Sequence, residues 1–170
     1  MIKIRKAEIE DVSKLETIAE EARLFLKGKG LPQWQNGQAP NKAVFEDDIK
    51  RGVGVTAIID GEVVGYGAVN YGPYKTYENV NIWQNKNEKY AILNRVMLSD
   101  QARGNGNGQL LLKLLIENAA EKGYSDIRID THPGNDTMQN VIVKVGFQFC
   151  GDIMLDIENG ERIAYQKLLN

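Results

Sequence analysis

The sequence predicts an α/β domain: one mixed sheet of about seven strands, flanked by about four helices. Three observations predict it. Strand-like and helix-like runs alternate in the order β-α-α-β-β-β-α-β-α-β-β. Hairpin signals occur beside β-α-β units, which mixes parallel and antiparallel pairing and puts helices on both faces. A chain of 170 residues, 42% of them hydrophobic, suits a single domain over residues 1–170 with one sizeable core.

Ile2 to Arg5 alternates apolar and basic, as a half-buried strand does. From Ala7 to Gly28, apolar residues at Ile9, Val12, Leu15, Ile18, Ala19, Ala22 and Leu26 trace one helical face. Acidic residues open that helix and Gly28 stops it. Residues 29–41 are rich in Gly, Pro and Asn and read as a loop, and residues 42–52 as a short second helix. Asp60-Gly61 between the apolar runs 53–60 and 62–71 is a hairpin signal. Residues 72–88 are polar and aromatic without a clear period, and read as a long loop. A strand over 89–99 then leads through a glycine run to a leucine-packed helix over 109–123, whose consecutive leucines suggest burial on more than one face. The sequence closes with a strand over 125–132, a helix over 135–145, and strands over 147–155 and 161–169 around the turn at 158–160.

Composition narrows the function. A net charge of -2 argues against a general nucleic-acid binder. The first residues are too charged for a signal peptide, and no apolar run approaches the ~20 residues that span a bilayer. Cys150 is the single cysteine, so no internal disulfide forms. The expectation is a cytoplasmic protein without membrane or nucleic-acid partners. No metal site is expected.

Arg103-Gly104-Asn105-Gly106-Asn107-Gly108 stands between strand and helix. Glycines let successive backbone N–H groups turn inward around an anion, and the helix behind adds its positive end. Arg103, with Arg95, would add fixed charge. Gln109 and Leu110 follow Gly108, so the lysine and hydroxyl of a Walker loop are missing, and the dinucleotide pattern G-x-G-x-x-G fails at Gln109 or Leu111.

The pattern that fits is R-x-x-G-x-G, at Arg103, Gly106 and Gly108. Together with the opening IRKAEIEDVSKL and the later NDTMQNVIVKVGF, it resembles the GNAT superfamily of N-acetyltransferases, in order and over nearly the whole chain. The resemblance implies acetyl-CoA as co-substrate. The backbone of Val96, Met97 and Leu98 would pair with the pantetheine arm. The amides of Gly104, Asn105, Gly106, Asn107, Gly108 and Gln109 would hold the pyrophosphate beside Arg103, and Asn135 would contact the pantetheine. The tyrosine that many members use as a general acid falls at Ile142. Homodimers are common in the family.

Acetylating an amine requires its neutral form, which for a lysine-like amine costs about 4–5 kcal/mol at pH 7, whereas a thiol leaves as thiolate for about 2 kcal/mol. A base therefore matters more than an acid. Asp130 and His132 lie on the same side of the strand over 125–132 and are the candidates. Their structural alternatives are an ion pair of Asp130 with Arg128 or Arg95, and a loop-ordering hydrogen bond of His132. The acidic cluster Glu46, Asp47 and Asp48 reads as a solvated helix face. Trp34, Tyr71, Tyr74, Tyr77 and Trp83 in the two long loops would wall the pocket for a small-molecule or peptide amine, with Trp34, Tyr71 and Trp83 the chosen contacts; the alternative is packing onto the core or a dimer interface. Cys150 reads as a small buried hydrophobe. Two other readings stand beside the enzyme: an acyl-CoA-binding regulatory module without turnover, and a nucleotide-binding module.

Overall fold

The computed structural model describes residues 1–85, 87 and 89–170. Lys86 and Glu88, inside the segment expected as a loop, lie outside the described residues. The elements are β1 (Lys3–Lys6), α1 (Val12–Gly28), α2 (Lys42–Lys50), β2 (Gly54–Ile59), β3 (Glu62–Tyr71), α3 (Lys75–Glu78), β4 (Ala91–Leu98), α4 (Asn107–Glu121), β5 (Asp126–Thr131), α5 (Asp136–Lys144), β6 (Gln148–Met154) and β7 (Glu161–Leu168). The strands form one seven-stranded sheet in the order β1-β2-β3-β4-β5-β7-β6. The predicted fold class and strand order along the chain hold.

Three features differ from expectation, each for a physical reason. The first helix begins at Val12 after a 3₁₀ turn over Ile9–Asp11, because the Asp11 carboxylate is taken by the Glu8 N–H at 2.8 Å and by Arg5 at 2.7 and 2.8 Å. The aperiodic segment after Tyr71 contains a fifth helix, the short α3, whose Tyr77 is wholly buried under Tyr90 and Ile92. Tertiary burial there supplies what local periodicity does not. In α4, Leu111, Leu112, Leu115, Ile116 and Ala119 make one buried stripe while Leu110 is exposed, so the helix is buried on one side only.

The sheet has two differently covered faces. Leu93, Ile127 and Ile129 pack with Leu111, Leu115 and Ile142 beneath α4 and α5. On the other face, Tyr66, Ala68 and Met97 pack under α1 and α2, and Ile92, Ile153 and Ala164 pack with Tyr77 and Tyr90. The Asp60-Gly61 turn has both φ values positive, at 49° and 78°, as the tight β2–β3 hairpin requires.

The feature that positions a site is the pairing of β4. Among the described residues it makes the one parallel pairing of the sheet, with β5, confined to Ala91↔Ile127 and Ile92↔Arg128. Toward β3 it stays paired through Leu98, across a register shift where Arg95 takes φ 53°. Bulges bend a strand and raise its twist. Beyond Ile92, β4 and β5 therefore part, and the sheet opens into a cleft.

Candidate active site

The cleft has a volume of about 630 Å³ and runs through the parted sheet. On the α4–α5 face it is lined by Gly104, Gly106, Gly108, Gln109, Asn135 and Met138. On the α1–α3 face it is lined by Trp34, Gln38, Tyr74, Asp130, Leu155 and Arg162. Val96, Met97 and Leu98 of β4 lie between the two.

The bend in β4 is held from outside the cleft. A non-glycine residue at positive φ stores strain of about 1–3 kcal/mol. Arg95 is kept there by two hydrogen bonds to the Asp48 carboxylate, 2.9 Å from Nε and 2.6 Å from Nη2. Asp48 is buried and also accepts from Tyr66 Oη at 2.6 Å. That carboxylate and burial together push the Tyr66 phenol upward, desolvation contributing most. The reading of Asp48 as part of a solvated face is thus corrected, and Arg95 is committed to Asp48 rather than to an anion. Asp47 is exposed and Glu46 half-buried.

On the α4–α5 side the chain forms a cradle of backbone N–H groups. Gly104, Asn105 and Gly106 have φ 95°, 55° and 77°, and Gly106 caps α4. The first N–H groups of a helix have no intrahelical carbonyl to donate to. In α4 these are those of Gly106, Gly108 and Gln109, since the Asn107 N–H is taken by the Gly104 carbonyl at 3.1 Å. A Cβ built on Gly104 or Gly106 meets no protein atom within 4 Å. Packing therefore does not demand these glycines: positive φ does, and the space beside them is open for a ligand. Thr131 Oγ1, buried at the cleft wall, has no hydrogen-bond partner among the described residues. Asn105 and Asn107 do not line the cleft, and the Asn107 amide donates to the Ala102 carbonyl at 2.8 Å.

Arg103 braces this loop. It pairs with Asp100, donates to the Leu98 carbonyl at 2.9 Å, and lies 4.1 Å from the Phe25 ring centroid. The Leu98 carbonyl, expected to face a pantetheine arm, is therefore already engaged. Asn135 caps α5, accepting from the Met138 N–H at 3.2 Å, and its amide donates to Gln33 at 3.3 Å. Ile142, the expected place of the family's acid, is fully buried in the core. The α5 side chains that reach the cleft are those of Thr137, Met138 and Val141.

On the α1–α3 side, Asp130 reaches the cleft from β5 and accepts from the buried Tyr77 hydroxyl at 2.5 Å. Burial pushes the Asp130 carboxyl above the ordinary carboxylate range, against the opposing hydrogen bond from Tyr77 and the charge of Arg162. Neither ion pair proposed for it is present, because Arg128 pairs with Asp126 at 3.0 Å and stacks between Trp83 and Tyr90. His132 does not line the cleft. Its Nδ1 accepts from the Gly134 N–H at 3.0 Å, and Nε2 stands 3.9 Å from Glu161. Burial, then Arg162, lower the His132 pKa. The loop-ordering alternative describes what this imidazole does.

Of the expected pocket wall, Trp34 lines the cleft, whereas Tyr71 lies exposed over Arg51 and Trp83 donates to the Tyr77 carbonyl at 2.9 Å, away from it. Tyr74 also lines the cleft, and Tyr77 lies behind Asp130 instead of on the wall. Arg162 lines the cleft without having been singled out. Arg162 stands in β7 between Glu161 and the apolar Ile163, Ala164 and Tyr165, a run without polar alternation that hides which side each residue faces. Cys150 is half-buried, and burial raises its thiol pKa. Among the described residues no helix is long and apolar enough to cross a membrane.

A model of the acetyltransferase (GNAT) family matches residues 15–147. A GNAT-family acetyltransferase from Streptococcus agalactiae is 35% identical, over 99% of this chain and 96% of that one, with TM-score 0.90. A GNAT-family acetyltransferase from Listeria monocytogenes is 24% identical, over 99% and 95%, with TM-score 0.76. A Salmonella typhimurium structure with its cofactor acetyl-CoA shares the fold at 18% identity, over 100% and 95%, with TM-score 0.71. No curated protein matches the chain.

Proposed function

We propose that this chain, which belongs to the GNAT acetyltransferase family, moves an acetyl group from acetyl-CoA directly to a primary amine held with it in one cleft. The observation that carries this is the parting of β4 from β5. It joins a backbone anion cradle on one sheet face to the half-buried Asp130 carboxylate on the other, with β4 backbone between. The chain's own features fit acetyl-CoA: amides at the start of α4 and a Thr131 hydroxyl on the wall that have no partner among the described residues, and open space where two glycines lack a Cβ.

In this reading Asp130 is the base. It takes one proton from the ammonium, and the neutral amine nitrogen bonds to the thioester carbon. The carbon–sulfur bond then breaks, and the nitrogen sheds its second proton to water as the amide forms. The sulfur leaves as thiolate and takes its proton from water, so the α5 wall need supply no acid. Burial that raises the carboxyl pKa makes Asp130 a better proton acceptor than an ordinary aspartate. Tyr77 fixes its rotamer from behind. An N–H of Met97 or Leu98 would meet the developing oxyanion.

The regulatory-module reading shares the cradle and differs at Asp130. Thiol release from acetyl-CoA, followed over a panel of primary amines, separates the two. Release that depends on an amine and falls in Asp130→Asn supports transfer. Tight acetyl-CoA binding with no amine-dependent release supports the module.

A further inference from the structure

Arg162 is the charged group of the cleft that the fold leaves unspent. Four charged side chains line it: Arg95, Arg103, Asp130 and Arg162. Arg95 is neutralised by Asp48 and Arg103 by Asp100. Arg162 is buried, and among the described residues no carboxylate lies within salt-bridge distance of it. Its Nη1 donates to the Asn159 and Glu161 carbonyls at 2.9 and 2.7 Å. Those two bonds fix the guanidinium plane and leave Nε and Nη2 without a protein partner among the described residues. Nε and Nη2 form the edge that grips a carboxylate with two parallel hydrogen bonds.

The sheet register places this edge beside the base. Asp130 pairs with Ala164, and Arg162 is two residues from Ala164 on the same strand face. The two are diagonal cross-strand neighbours, a spacing that long side chains bridge. Around them stand Trp34, Leu155 and Ile157. The acceptor end therefore offers one basic carboxylate, one free guanidinium edge and an apolar wall. A polycation would meet one carboxylate and an unpaired arginine.

We propose that the acceptor is a small amine that also carries a carboxylate and an apolar group, an amino-acid-like molecule whose carboxylate lies on Arg162 while its amine faces Asp130. This rests on the acetyl-transfer reading and narrows its substrate.

The test compares leucine and phenylalanine with isopentylamine and phenethylamine, the same molecules without the carboxylate, and with spermidine. A site built to bond a group discriminates strongly against its absence, so kcat/KM by thiol release is expected to be at least ~100-fold higher for the amino acids. Arg162→Gln should collapse that ratio toward one. Because Arg162 also braces its hairpin, Arg162→Lys is measured beside it, and acetyl-CoA affinity reports whether each variant is folded. Equal or better turnover of the plain amines, or a preference for spermidine, overturns the proposal. A binding measurement separates the two readings: calorimetry of N-acetylleucine against N-isopentylacetamide needs no turnover. Preferential N-acetylleucine binding that Arg162→Gln removes, with every probe unreactive, would sink acetyl transfer and leave the carboxylate site standing. No preference for N-acetylleucine, with plain amines acetylated, would do the reverse.

Discussion

The two sides of the cleft are built in opposite ways. On the α4–α5 side, the lining is backbone: one continuous stretch from Leu98 to Gln109, with glycines at positive φ and, among the described residues, helix amides left unpaired. On the α1–α3 side it is made of side chains delivered by four separated segments, at Trp34 with Gln38, Tyr74, Asp130 and Arg162. A backbone cradle fits any ligand with the same phosphate. A side-chain pocket changes with each substitution. One side thus suits a shared co-substrate and the other a particular acceptor.

Variants that separate the sides sharpen this contrast. The largest effect is expected from Asp130→Asn. Loss of a general base lowers kcat by about 10²–10⁴-fold, and acetyl-CoA affinity by calorimetry should stay unchanged. The folded pKa of Asp130 is raised, so stability falls as pH rises from the ordinary carboxylate value up to the folded one, and its ionisation opposes folding above that. Removing the charge should therefore not lower the Tm at pH 7, and a clear fall in Tm would contradict the buried-base account. The acid limb of kcat/KM should lie above the ordinary carboxylate value near ~4. Tyr77→Phe, which removes a hydrogen bond that lowers this pKa, should move the limb further up.

Gly106→Glu addresses the other side. It puts a carboxylate and a strained φ into the cradle, and acetyl-CoA binding should be lost while circular dichroism stays native. Retained affinity would mean that the phosphate lies elsewhere. Asp48→Asn tests the hinge between the two sides. Breaking a buried pair typically costs about 3–5 kcal/mol, and the partial exposure of Arg95 brings the expectation to about 2–4 kcal/mol by urea denaturation. A loss under about 0.5 kcal/mol would say that the β4 bend does not depend on this pair. The smallest effect is expected from Asn135→Ala, where losing the cap on the Met138 N–H costs about 1 kcal/mol of stability. A matching loss of acetyl-CoA affinity would add a ligand contact to its capping role.

The same division explains what the sequence disclosed. The cradle was legible because its chemistry is contiguous: strand, glycines and helix occupy adjacent positions, and φ preference is a property of glycine itself. The strands and hairpin were legible through periodicity and through Asp60-Gly61. The acceptor side was not. Asp48 reads as a solvated acid until the fold sets Arg95 and Tyr66 against it. Trp83 and Tyr71 look like pocket aromatics until Arg128 and Arg51 claim their rings. Tyr77 stands in a segment with no period, and its burial is decided by β4, β6 and β7. His132 and Asp130 share a strand side, yet the turn at Gly134 takes the imidazole.

The most direct test of the central claim, that this cleft holds acetyl-CoA through a backbone cradle independent of the acceptor side, is a calorimetric titration of the purified protein with acetyl-CoA, with ATP as the comparison. Micromolar binding of acetyl-CoA, no response to ATP and the same affinity in Asp130→Asn are the predicted result. No acetyl-CoA binding, or equal binding of ATP, would contradict it.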